Sequence, residues 1–276
     1  MPARSCMTAP KIAFIGAGNL GSAIIRGLLA QKICAPTDLV CTSKTGSSAQ
    51  KIAAATGIVY EPDLVRLLAH ADTVVIAFKP QSLAAADPQL AALTSGKLLI
   101  SVLAGKRLSR LAQTFPTARN LVRFLPNTPS AIGAGIAGWC AATPLSPADR
   151  ATVQSILDAM GASVELDEKH LDAITALGGS GPAFLFEFVA ALRDGGIAAG
   201  LPLEVARKFA IETVLGSARL LARSGLEPDA LRDQVVSPKG TTYAGLQVMA
   251  SAKFRDTIRD TILAATHRAE ELSRDT

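Results

Sequence analysis

From Lys11 onward, short apolar runs alternate with stretches whose apolar residues recur every three or four positions, the pattern of strands followed by helices. Ile12-Ala-Phe-Ile15 predicts a strand, and the Ala/Ile/Leu-rich stretch after it predicts a helix ending near Leu29. Leu39–Thr42, Ile58–Tyr60, Thr73–Ala77, Leu98–Val102 and Asn120–Phe124 predict further strands, with helices around Asp63 to Ala69 and from Ser82 to Leu93. These strands are apolar throughout, as in a parallel sheet covered on both faces. An apolar stretch near Gly135 to Ala141 and a helix from Ser146 to Met160 complete this part. The composition changes around Ser163 to Asp167, and the rest shows only helical patterns, punctuated by Gly178-Gly-Ser-Gly-Pro182, Gly200-Leu-Pro202 and Ser237-Pro238. The expected fold is α/β: a doubly wound sheet over residues 9–165, then an all-helical domain over residues 166–274.

One of the predicted helices, Ala183 to Leu192, is apolar nearly all round. Such a helix must be covered on every side. A helical domain of this size has little interior to hide it in, so the pattern predicts a partner subunit, the alternative being a single-chain bundle with this helix at its centre.

The first strand runs directly into Gly16-Ala17-Gly18-Asn19-Leu20-Gly21. Between a strand and a helix, glycines at this spacing form the Rossmann-type dinucleotide turn. The first permits the tight turn, the second lets a pyrophosphate approach the backbone, and the third lets helix and strand pack closely. Residues 16–21 are therefore assigned to the cofactor. The second strand ends at Thr42-Ser43-Lys44, with no acid to accept from a ribose hydroxyl; Asp38 precedes the strand and cannot reach. Ser43 and Lys44 offer a hydroxyl and a cation suited to a 2′-phosphate, which favours NADPH, with NADH the second candidate. Phe78-Lys79-Pro80, Ala104 and Asn127, in its Pro-bounded loop, fall at other strand ends and complete the cofactor candidates.

Composition narrows the picture further. Of 276 residues, 49% are hydrophobic and 18% charged, a globular balance long enough for two domains. The net charge of +5 is spread without a basic run, which gives no support for nucleic-acid binding and a mild attraction for anions. Cys6, Cys34, Cys41 and Cys140 have no paired spacing, which fits reduced thiols and a cytoplasmic protein. Residues 1–10 lack the apolar core of a signal peptide, and no run is long enough to span a membrane without glycine or charge. His70, His170 and His267 have no ligand partners at metal spacing, so no metal is expected.

The glycine turn, Lys79-Pro-Gln81, Pro126-Asn-Thr-Pro129, Gly179-Ser-Gly-Pro-Ala183, Asp194-Gly-Gly-Ile197 and Ser237-Pro-Lys-Gly-Thr-Thr242 stand in the order seen in pyrroline-5-carboxylate reductases. From about Lys11 to Leu272 the chain resembles that family. The resemblance implies a dinucleotide-binding domain and a helical domain that intertwines with its partner in a homodimer, often assembling into decamers. It implies the last step of proline biosynthesis, NAD(P)H-dependent reduction of L-1-pyrroline-5-carboxylate to L-proline. It assigns the substrate carboxylate to Ser237, Gly240, Thr241 and Thr242, and gives Thr242 a hydrogen bond to the ring nitrogen. Two positions depart from the family pattern: Lys239 replaces a glycine, and Leu64 replaces an asparagine that would contact the cofactor. An imine reductase for another cyclic imino acid and a non-catalytic nucleotide-binding relative are the competing readings.

Overall fold

The structure, a computed structural model, describes residues 10–274; the expectations for Cys6 and residues 1–9 lie outside them. The chain runs β1 (Ile12–Ile15), α1 (Asn19–Ala30), β2 (Leu39–Thr42), α2 (Ser47–Thr56), β3 (Val59–Tyr60), α3 (Leu64–Ala69), β4 (Thr73–Ile76), α4 (Gln89–Leu93), β5 (Leu98–Ser101), α5 (Leu108–Thr114) and β6 (Asn120–Leu125). It continues through β7 (Gly135–Ala141), α6 (Pro147–Asp158), β8 (Gly161–Glu165), α7 (Leu171–Ile174), α8 (Gly181–Ala198), α9 (Leu203–Ser224), α10 (Pro228–Val235), α11 (Thr241–Ser251) and α12 (Phe254–Arg274).

The strands form one sheet in the order β3-β2-β1-β4-β5-β6-β7-β8. Every pairing is parallel except β6 with β7, which are joined by a short connection and run antiparallel. Alternation along each strand feeds both faces. Ile12 and Phe14 pack with Ile24 and Leu28 of α1, Ile52 of α2 and Val153 of α6, whereas Ala13 and Ile15 pack with Leu67 of α3 and Leu111 of α5. That two-sided burial is why the strands read as unbroken apolar runs.

Two expectations fail locally. The helix expected from Ser82 to Leu93 is a short turn at Pro80–Ser82 followed by the five-residue α4. Pro88 disfavours a helical Asp87, whose carboxylate instead accepts from the Gln89 N–H at 2.9 Å. The composition change near Ser163 conceals β8, an edge strand with few apolar residues that pairs along β7 from Gly135 to Trp139.

The chain divides into two compact units, residues 10–180 with 265–274, and residues 181–264. Division falls at Ser180 rather than at 165 because α7 packs on the sheet, with Leu171 buried against Leu125 and Cys140. Within the second unit α8 packs on α9, and the Phe188 and Phe254 rings lie 6.2 Å apart. Large apolar side chains stay outside: Phe186 of α8 is 63% exposed and Phe209 of α9 is 66% exposed. The helical stretch Glu168–Ala198 is long and apolar enough by composition alone to cross a membrane.

Candidate active site

In the first unit, the register aligns the carboxyl ends of four adjacent strands: Thr42 beside Ile15, Ile15 beside Ile76, and Ile76 beside Ser101. The order reverses between β1 and β4, the switch point at which doubly wound sheets bind ligands. The turns that leave this edge carry the residues singled out from the sequence. Gly16 has φ +111°, and a Cβ there would overlap the backbone of Ala77 and Phe78. A Cβ on Gly21 would overlap the Gly16 carbonyl, so α1 starts tight against β1. Gly18, in contrast, faces open space and is exposed, and no side chain caps α1 behind it. An uncapped helix start beside an open glycine is the cradle a pyrophosphate requires, so these residues fit a dinucleotide. Asn19 is exposed and Leu20 half-buried at the same turn, while Ala17 is buried and its carbonyl accepts from the Ser22 hydroxyl at 3.0 Å.

At the end of β2, Ser43 begins a turn closed by Gly46 N–H donating to the Ser43 carbonyl at 2.9 Å. The Ser43 hydroxyl accepts from the Ala49 N–H at 3.2 Å and keeps its own proton to donate; Lys44 is exposed. Asp38, expected to be out of reach, accepts from the Ala35 N–H at 2.8 Å. Asp63, beside the departing Leu64, caps α3 by accepting from the Arg66 N–H. Phe78 and Pro80 are half-buried and Lys79 exposed after β4; Ala104 is exposed after β5. Asn127 follows β6, where its Oδ1 accepts from the Ile136 N–H at 3.1 Å, which leaves its amide hydrogens to donate. The Thr128–Ile132 turn behind it packs against α1.

Two features here escape a reading of the sequence. Lys106, next to the Ala104 loop, is buried, and burial together with the neighbouring Arg110 holds its ammonium below the usual lysine range. Arg123 lies 1% exposed within β6, with Nη1 3.1 Å from Glu168 and Nη2 3.6 Å from Asp172. A cation inside Leu121-Val-Arg-Phe124, with two acids four residues apart on a later helical pattern, is the signal that could have found it.

In the second unit, residues 237–242 form one turn leading into α11. Gly240 N–H donates to the Ser237 carbonyl at 3.0 Å, with Pro238 and Lys239 between them. Lys239 has φ +58°, the left-handed conformation that glycine adopts freely. Gly240 precedes α11, and no side chain caps that helix. Thr242 is half-buried, Ser237 and Thr241 exposed. The turn therefore gathers Ser237, Gly240, Thr241 and Thr242 around uncapped N–H groups. Among the described residues no group of three His, Cys, Asp or Glu side chains could hold a metal ion.

Comparison with known proteins bears on both units. Residues 168–272 match the family described as pyrroline-5-carboxylate reductase dimerisation, and residues 11–105 match the family described as NADP oxidoreductase, coenzyme F420-dependent. The chain is 36% identical over 264 residues to a pyrroline-5-carboxylate reductase of Arabidopsis thaliana, covering 95% of each chain. With the Pseudomonas aeruginosa enzyme of the same name it shares 36% identity over 270 residues, covering 97% of this chain and 98% of that one. Among solved structures, a pyrroline-5-carboxylate reductase from Coxiella burnetii superposes with a TM-score of 0.89 at 30% identity, covering 96% of this chain and 99% of that one. A Plasmodium falciparum pyrroline carboxylate reductase with NADP bound gives 0.84 at 28% identity, covering 97% and 99%.

Proposed function

This chain belongs to the pyrroline-5-carboxylate reductase family, and from that premise we propose which of its residues serve the reaction. It reduces pyrroline-5-carboxylate to proline with NAD(P)H and associates with copies of itself. The proposed division of labour gives the cofactor to residues 9–165, and the substrate and the partner contact to residues 166–274.

Gly16 to Gly21 would hold the pyrophosphate on the uncapped start of α1, and Ser43 with Lys44 would hold a 2′-phosphate, which makes NADPH the preferred cofactor. Phe78, Lys79, Pro80, Ala104 and Asn127 would line its remaining length. When bound, NAD(P)H supplies the hydride that adds to the imine carbon.

The observation that carries the substrate reading is the Ser237–Thr242 turn. Uncapped N–H groups at the start of α11 and the helix dipole suit a carboxylate. The Ser237 and Thr241 hydroxyls add donors, and Gly240, whose own N–H closes the turn on the Ser237 carbonyl, brings no side chain of its own beside them. The Thr242 hydroxyl bonds the ring nitrogen and so orients the C=N bond; protonation at that nitrogen makes the imine carbon more electrophilic. Changing Thr242 to Ala is expected to slow turnover by about tenfold to a thousandfold, the usual effect of losing one positioned polar contact, with NADPH affinity unchanged. Steady-state kinetics beside a cofactor titration decide it: undiminished turnover would remove Thr242 from the site.

The proposed assembly is a dimer that associates further, with a decamer as its end state, since apolar side chains are exposed on α8, α9 and α11 alike. Cytoplasmic residence agrees with the thiols of Cys34, Cys41 and Cys140, which are free and buried.

A further inference from the structure

We infer that Asp172, together with the last turn of α12, is a positioning device that fixes the Ala104 loop for the cofactor. The inference rests on the reading that places Ala104 at the cofactor.

The loop from Val102 to Arg107 is tethered along its length. At its start the Leu103 N–H donates to the Ser101 hydroxyl at 3.3 Å. In the middle, Gly105 has φ +70°, and a Cβ there would stand 3.2 Å from the Leu272 carbonyl of α12, so that backbone lies directly behind the loop. At its end, Arg107 Nη2 lies 3.4 Å from Asp172 Oδ2, and the Leu108 N–H donates to Glu168 Oε1 at 2.7 Å. Asp172 in turn accepts from the Ser273 hydroxyl at 2.9 Å, and Arg123 sits between Glu168 and Asp172. Two guanidinium groups face two carboxylates, so the cluster is electrically balanced.

A strand position flanked by Val122 and Phe124 could be filled more simply by an apolar residue, because a buried ion pair is weak evidence of stability. What the cluster achieves is registry. Asp172 links three segments far apart in sequence, the end of α12, the helical stretch after β8 and the loop after β5, and Ala104 is the exposed tip of that loop. A shift of the carboxylate moves the tip.

The test uses the full-length protein and NADPH. In Asp172→Asn the Arg107 contact loses its charge partner and Arg123 keeps only Glu168, and in Ser273→Ala a single hydrogen bond is lost. Both are expected to raise the Kd and KM for NADPH, Asp172→Asn by about threefold to tenfold, as small misplacements of a binding group do. The KM for pyrroline-5-carboxylate at saturating NADPH should stay constant, and Asp172→Glu should recover part of the loss. A merely structural cluster would lower the melting temperature and leave that split absent. Unchanged NADPH binding in folded Ser273→Ala and Asp172→Asn overturns the inference; if Asp172→Asn does not fold, Ser273→Ala decides alone. Ala104→Phe separates the premise: if it leaves NADPH binding intact, both the placement of Ala104 and the inference fall. If it weakens binding while the cluster variants do not, the inference alone falls.

Discussion

In the turn that Gly240 closes on the carbonyl of Ser237, the Ser237 hydroxyl occupies the space a side chain at residue 240 would need. A methyl group there displaces the end of a short side chain and leaves the fold alone. Gly240→Ala is therefore expected to raise the KM for pyrroline-5-carboxylate by about tenfold, the cost of one lost hydrogen bond, with the melting temperature and NADPH affinity held. Kinetics at saturating NADPH give the answer, and an unchanged KM would take Ser237 out of the carboxylate site.

Lys239 occupies the third position of that same turn, after proline, where glycine is favoured. Lys239→Gly relieves about 1 kcal/mol of backbone strain and gives back a comparable amount through the freer unfolded chain. Urea unfolding should show a net change of no more than about 1 kcal/mol, and turnover should persist or rise. Loss of turnover would point to chemistry that depends on the lysine itself.

Lys44 is exposed beside the half-buried Ser43, whose hydroxyl is already oriented by Ala49. Lys44→Ala is expected to raise the KM for NADPH and leave that for NADH almost unchanged. An equal rise for both cofactors would show that Lys44 does not read the 2′-phosphate.

Phe186 shows how much apolar surface α8 leaves uncovered in the single chain. Phe186→Asp should shift the protein toward monomer in sedimentation at micromolar concentration, because a charge would be buried in the contact. An unchanged assembly would place α8 outside the interface.

Asp149 is buried, and the hydrogen bond from Arg119 at 2.7 Å holds its carboxyl below the usual aspartate range, against the opposing effect of burial. A depressed carboxyl contributes stability above its unfolded value, near pH 4, and that contribution is lost as pH falls through the lower folded value. Arg119→Met should then cost about 1 kcal/mol at pH 7, a modest figure because the arginine is partly solvent-screened. The gap should narrow below about pH 4; chemical denaturation at both ends of the range measures it, and a gap independent of pH would exclude the pair as its source.

Regular repetition is what made the sheet legible. Strands buried on both faces leave unbroken apolar runs, and the glycine spacing marks the β1–α1 turn because backbone collisions with Ala77 and Phe78 leave no alternative at Gly16. β8 leaves little trace in the sequence because an edge strand needs few apolar residues, and residues 82–93 favour helix by composition although Pro88 breaks the run. The turn proposed for the substrate, residues 237–242, is short and lacks periodicity, so only its likeness to a family points to it. The partners of Arg123 lie more than forty residues away, joined by tertiary packing that no local pattern encodes.

The return of α12 to the first unit also orders events during synthesis. Ser273 leaves the ribosome 101 residues after Asp172, the carboxylate it completes. A nascent nucleotide-binding unit therefore waits, with its Ala104 loop unbacked, until the whole helical unit has been made. On the role proposed for that loop, a dinucleotide arriving early would meet a half-built shelf.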